Sequence, residues 1–191
     1  MVIVVFMTLL AILGNILVII AYLKDTKLQN VLNFYIFNLA VTDFLLGAIS
    51  MPFYAVYTAL NWKWPFGRAF CKVYLVCDFT LCLQSVLLVI VISVDRLILV
   101  RSGMEYTVKQ TMKSAKVKVA VCWIAAFLLY GPAVIGFDYW RGSTVISDRD
   151  CDVEFYNHLT FTLTTSIIEF GAPFLSIAVI NGLVFVEIRK R

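Results

Sequence analysis

The sequence predicts an all-α membrane helix bundle with five transmembrane helices, and three observations lead there. Of the 191 residues, 62% are apolar and 15% charged, with a mean hydropathy of +0.91, which lies outside the range of an ordinary soluble domain. The apolar residues gather in five runs, each reaching the roughly 20 residues needed to cross a bilayer core. The basic residues sit in short clusters between those runs, a pattern that serves membrane orientation and not a nucleic-acid footprint. Membrane lipid is therefore the expected surrounding partner, and no nucleic acid is expected.

The first run, Val2 to Leu23, carries neither a basic leader nor a small-residue cleavage site, so it reads as a true helix over about 2–23 and not as a signal peptide. The second, Val31 to Leu60, predicts a helix over 31–60. It is longer than a span requires, and Pro52 should bend it by removing one backbone hydrogen bond. The third, Val73 to Val94, forms the centre of a helix over 71–98. The fourth, Val119 to Phe137, predicts 114–137. The fifth, Leu159 to Val186, predicts 157–190, with a bend at Pro173. No low-complexity tract, solenoid repeat or Pro/Gly/Ser linker divides the chain, so residues 1–191 form a single domain.

Orientation follows from the lysines and arginines retained on the cytoplasmic side. Lys24, Lys27, Arg96, Arg101, Lys109, Lys113, Lys116, Lys118, Arg189, Lys190 and Arg191 fall on one side; Lys63, Arg68, Lys72, Arg141 and Arg149 fall on the other. Eleven against five places the N-terminus outside. The outer segment with Asp138, Asp148, Asp150, Asp152 and Glu154 reads either as a solvated loop or as an acidic mouth that attracts cations. Cys71 and Cys151 are the cysteines this topology places in the oxidising compartment, so a disulfide between them is expected, contributing about 2 to 4 kcal/mol. Cys77, Cys82 and Cys122 lie in apolar runs and behave as small hydrophobes. An odd total of five, without metal-ligand spacing, does not make a zinc site.

A charge near the centre of a span costs about 2.5 to 3.5 kcal/mol on insertion scales, so intramembrane carboxylates are functional candidates. There are three: Asp43, Asp78 and Glu169. Asp78 lies about 10 Å along its helix from Cys71, in the outer part of the bundle, and no lysine or arginine occurs at matching depth in the other runs. It suits a ligand ammonium; the alternative is a carboxylate paired to another helix. Glu169, one turn before Pro173, is placed to face the same cavity from the opposite wall, or to sit there as a protonated, internally hydrogen-bonded acid. Two facing acids would suit a ligand with two polar nitrogen ends. Asp43 and Asn15, each near the middle of its helix, are expected to share polar contacts or an ion.

Asp95 and Arg96 end the third run at its cytoplasmic edge. Arg96 lies about five helical turns, or about 27 Å, from Asp78 and on the same face, so one rod joins a ligand anchor to a cytoplasmic charge. Ordinary positive-inside anchoring is the other reading of Arg96. Trp64, Phe66, Trp123, Pro132, Phe155 and Tyr156 read as packing or interfacial anchors. The single histidine, His158, lacks metal-ligand companions. No GxSxG, HExxH or glycine-rich phosphate loop occurs, so an enzyme has no support, and no cofactor is expected.

These residues resemble the rhodopsin-like (class A) G protein-coupled receptors: Gly14-Asn15 in the first helix, Asn38-Leu39-Ala40-Val41-Thr42-Asp43 in the second, and Trp64-Pro65-Phe66-Gly67 in the outer loop. Cys71, Asp78, Asp95-Arg96, Trp123, Pro132, Cys151 and Pro173 fall at the order and spacing of that family, across the whole chain. The resemblance implies the first five helices of a seven-helix receptor fold. Asp78 is similar to the aspartate that holds the ammonium in receptors for biogenic amines. Thr165-Ser166-Ile167-Ile168-Glu169-Phe170, Leu129-Tyr130-Gly131-Pro132, Cys82 and Asn181 resemble histamine receptors of the third and fourth subtypes, in which a glutamate of the fifth helix meets the imidazole. The resemblance implies a ligand set of Asp78, Phe79, Cys82, Thr165 and Glu169. It also implies a switch pair of Asp95 and Arg96 facing an inhibitory heterotrimeric G protein, and an allosteric sodium site at Asp43 with Asn15, the one metal implied. The expected protein is a plasma-membrane receptor for a small cationic amine, histamine first and acetylcholine as the alternative.

Leu97 stands where the family usually carries an aromatic residue, which implies atypical coupling at the inner end of the third helix. The sequence stops at Arg191, before sixth and seventh helices, begins almost inside the first, and contains no N-x-S/T site. A fragment is therefore expected, and a truncated, non-signalling membrane partner is the reading from a different class. A transporter would show an inverted repeat of spans, which is not found.

Overall fold

A computed structural model describes residues 2–103, 105–106, 110–142, 146–147, 149–153, 155 and 159–190. Among the described residues five helices are long and apolar enough to cross a membrane, and no strand is present. Helices are the open-ended solution in lipid because every interior backbone group finds its partner within the segment. Lys109, Asp148, Glu154, Tyr156, His158 and Arg191, to which the sequence gives charge or interfacial roles, lie outside the described residues, as do the side chains of Asp138 and Arg141.

Helix α1 covers Val2–Lys24. A 3₁₀ turn at Thr26–Leu28 follows, capped by the Asp25 carboxylate, which accepts from the Lys27 amide at 2.9 Å. Asn30 then opens α2 by accepting from the Asn33 amide at 3.0 Å, a standard N-cap. Helix α2 runs through Val31–Leu45, a π-helical turn at Leu46–Ser50 and a final stretch at Met51–Ala59. Helix α3 is Arg68–Ser102 and α4 is Met112–Arg141. Helix α5 repeats the design of α2: Leu159–Ser166, a π turn at Ile167–Gly171, then Ala172–Arg189.

In both α2 and α5 the π turn immediately precedes a proline at the start of the next stretch, Pro52 or Pro173. A proline cannot donate to the carbonyl four residues back and its ring crowds that carbonyl, so a wider turn relieves both problems. Helix α4 extends past the apolar run at both ends. Thr111 caps its start by accepting from the Ser114 amide at 3.2 Å, and Gly142 ends it in the left-handed conformation, φ +71°, which glycine adopts without a Cβ penalty.

Helix α3 is the hub: it packs against α2, α4 and α5, while α1 packs on α2. At the α1–α2 crossing Gly47 lets the backbones close, since a Cβ there would come within 3.1 Å of Ile12 and 3.2 Å of Ala11. The interior divides into two cores. An outer one gathers Trp64, Cys71, Tyr74, Tyr130, Val134, Val153 and Phe155. An inner one gathers Tyr35, Leu88, Ile92, Ala115 and Val119, with Trp123 packed against it. Large apolar side chains of α1 and α5 point outward, Leu17 being 68% and Phe174 73% exposed, as a lipid solvent permits.

Candidate functional site

The outer end is capped by covalent and aromatic contacts. Cys71, at the outer end of α3, is bonded to Cys151, with Cα atoms 5.5 Å apart. Val153 and Phe155 follow it into the outer core, so this piece of loop lies over the bundle. The amide of Trp64 donates to the Arg149 carbonyl at 2.7 Å, and its indole N–H donates to the Gly67 carbonyl at 3.0 Å. Gly67 needs to be glycine, because its φ of +79° disfavours any side chain. Trp64 is only 4% exposed and stacks among Phe53, Tyr57, Phe66, Phe70 and Tyr74. It is thus a packing residue, and Phe155, equally buried, is another.

Beneath this cap, α3 presents Asp78, Phe79 and Cys82 along one half-buried strip. The Asp78 carboxylate faces Ser50 in the π turn of α2 and lies in electrostatic reach of Glu169 on α5. Ser50 Oγ is buried and makes no closed hydrogen bond. Neither of the ion pairs among the described residues involves Asp78. Glu169 lies within the π turn of α5 and accepts from the Tyr130 hydroxyl of α4 at 2.9 Å. The Tyr130 ring stacks on Phe79 with centroids 4.8 Å apart. Thr165, one turn before Glu169, is buried and donates to the Thr162 carbonyl at 3.1 Å. Cys82 sits in the field of both acids.

Midway through the bundle, Asp43 accepts from Ser85 of α3 at 2.7 Å. Asn15 instead donates to the Ala11 carbonyl of its own helix at 2.8 Å, and no hydrogen bond joins it to Asp43 among the described residues. The donor set for a cation is therefore one carboxylate and one hydroxyl, hard oxygens of the kind alkali and alkaline-earth ions prefer. Asn15 adds no ligand in this arrangement.

At the inner end the Asp95 carboxylate is fully engaged. It accepts from Tyr106 at 2.7 Å, from the Gln110 amide at 2.8 and 3.0 Å, and from Lys118 of α4 at 3.2 Å. Burial, and then the hydrogen bond and charge of Asp95, push the Tyr106 phenol up to about 12, since losing the proton would bring two anions together. Arg96 is exposed and makes no ion pair among the described residues. Arg101 meets Glu187 of α5 at 3.2 Å. Asp95, Arg96, Leu99, Tyr106 and Gln110 line part of a cavity of about 440 Å³ at this end. Leu97, next to Arg96, is half-buried.

Ser85, Tyr106, Gln110, Lys118 and Tyr130 hold the carboxylates, and none of them stands out as a partner in the sequence. A hydroxyl in an apolar run costs little to insert, so it gives no signal comparable to a charge. Tyr130 could have been found, because it belongs to the Leu129-Tyr130-Gly131-Pro132 string.

A bundle of apolar helices, with a disulfide-anchored loop over one end and carboxylates set between its helices, is a multi-pass membrane protein. The chain belongs to the rhodopsin family of seven-transmembrane receptors: residues 14–191 match that family's model. The histamine H4 receptor of Mus musculus is 36% identical over 180 residues, which is 93% of this chain and 45% of the relative. The muscarinic acetylcholine receptor M2 of Gallus gallus is 33% identical over 174 residues, 91% of this chain and 37% of the relative. The muscarinic acetylcholine receptor M3 of Rattus norvegicus is 31% identical over 186 residues, 97% of this chain and 31% of the relative. The chain thus spans less than half the length of these relatives. It is similar both to receptors named for acetylcholine and to one named for histamine.

Proposed function

We propose that this chain forms the first five helices of a plasma-membrane receptor for a biogenic amine, histamine by preference, with its N-terminus outside and an inhibitory heterotrimeric G protein at its inner face. The observation that carries the reading is the pair of acids: Asp78 and Glu169 stand on α3 and α5 within electrostatic reach of one another, and Asp78 has no basic partner among the described residues. An ammonium supplies the missing positive charge to Asp78, while Phe79, Cys82 and Thr165 fill the strip between the acids. At the inner end, Asp95 is committed to the loop and α4, and Arg96 is left to meet a partner. Helix α3 carries both Asp78 and Arg96, so ligand contact at one end shifts the other through a single rigid element. Asp43 with Ser85 serves as the sodium-sensitive point between them.

A second reading, a receptor for acetylcholine, draws on the likeness to the two muscarinic receptors. Glu169 favours histamine, because the imidazole offers an N–H donor to a second acid whereas acetylcholine offers none. Radiolabelled histamine binding to membranes expressing the full-length gene product separates the two. D78N is expected to weaken histamine by about a hundredfold or more, as loss of one partner of a buried charge pair does, and E169Q by about tenfold. Unchanged histamine affinity in both variants would end the reading. Strong acetylcholine binding that ignores E169Q would replace it with the second.

A further inference from the structure

We infer that Tyr130 is the positioning residue of the second acid, and that it makes the cleft select amines carrying a nitrogen donor at their far end. This rests on the proposed role of Asp78 and Glu169 as the two anchors of an amine. Tyr130 is 1% exposed, so its hydroxyl has little choice of partner, and it donates to Glu169 Oε2 at 2.9 Å. No other hydrogen bond to Glu169 occurs among the described residues, and Oε1 is left open. A glutamate in a π turn lacks the regular packing of an α-helical side chain against the preceding turn, so the hydroxyl of Tyr130 is what fixes the direction of the carboxylate. The same ring stacks on Phe79 at 4.8 Å, and Phe79 neighbours Asp78 in sequence. One tyrosine of α4 therefore holds both walls: its face sets the strip beside Asp78, and its hydroxyl aims Glu169. The distance between the two ends of a bound ligand is set by that brace. A ligand with an ammonium and an N–H heterocycle uses both ends, whereas a one-ended amine uses only Asp78.

The test is a double-variant cycle on the full-length gene product, read by competition of histamine and of phenethylamine, a one-ended amine. Tyr130→Phe keeps the ring and removes only the hydroxyl. It is expected to weaken histamine by about tenfold and phenethylamine by less than about twofold. On an E169Q background the same change is expected to add less than about twofold for histamine, because both variants break one link. If Y130F leaves histamine unaffected while E169Q weakens it, the role of Tyr130 falls and that of Glu169 stands. Should E169Q itself leave histamine untouched, the underlying reading fails and this one with it. An equal loss for both amines, or a full tenfold loss added on the E169Q background, marks Tyr130 as a general tether between α4 and α5 and overturns the inference. A melting temperature for each variant, taken without ligand, shows whether such a loss comes from the fold.

Discussion

Asp95 takes hydrogen bonds from Tyr106, Gln110 and Lys118, and that arrangement gives the loop between α3 and α4 a measurable pH limit. The Tyr106 phenol is raised from 10.0 to about 12, so the fold favours its protonated form. The contribution is fully present below pH 10 and is lost as pH climbs toward 12. The difference in phenolate absorbance between wild type and Y106F is expected to titrate near pH 12; a midpoint at the ordinary phenol value would show that the loop does not close on Asp95. The carboxylates were legible in the sequence because a charge in oil is costly and therefore conspicuous. Their partners were not. Ser85 is unremarkable in an apolar run, and the choice of Asn15 to bond Ala11 and not Asp43 depends on how α1 is rotated against α2, which no local pattern encodes.

The disulfide and the loop it anchors form the element most open to direct perturbation. The Cys71–Cys151 bond ties the outer end of α3 to the loop after α4, 80 residues further along the chain, and Trp64 fixes the same loop through Arg149. Replacing both cysteines by serine is expected to lower the melting temperature by about 5 to 15 °C, read by thiol-reactive dye unfolding in detergent. A shift under about 2 °C would mean that the aromatic cluster holds the loop alone. The topology argument that paired these cysteines used only the side of the membrane on which each lies. The spans were equally legible, since length and apolarity are dictated by bilayer thickness. Prolines at 52 and 173 announced irregular helices, but not the form of the irregularity. A π turn, as against a kink, is chosen by the packing of α2 and α5 on their neighbours.

At the scale of the whole molecule, helices packed around α3 hold Asp78 and Glu169 toward one end and the exposed Arg96 toward the other. Hydropathy could not have named α3 as the centre, because all five runs are apolar and lipid-facing and protein-facing residues look alike in composition. The bias of basic residues predicts the direction, with the N-terminus outside. An epitope fused ahead of Met1 is expected to be stained by antibody on intact, unpermeabilised cells expressing the full-length gene product; staining only after permeabilisation would invert the molecule. The two π turns add a consequence of a different sort. Each holds one residue more than an α-helical turn would need, and one residue is worth about 100° of rotation. Loss of a single codon within 46–50 or 167–171 would let that turn close to an ordinary α-helical one while the side chains on either side keep nearly the same facing, because the wider turn already absorbs the additional residue. Lineages carrying this chain can therefore shed a residue at these two places without re-facing a wall of the bundle, whereas the same loss in an unbroken stretch of α3 would rotate everything beyond it by about 100°.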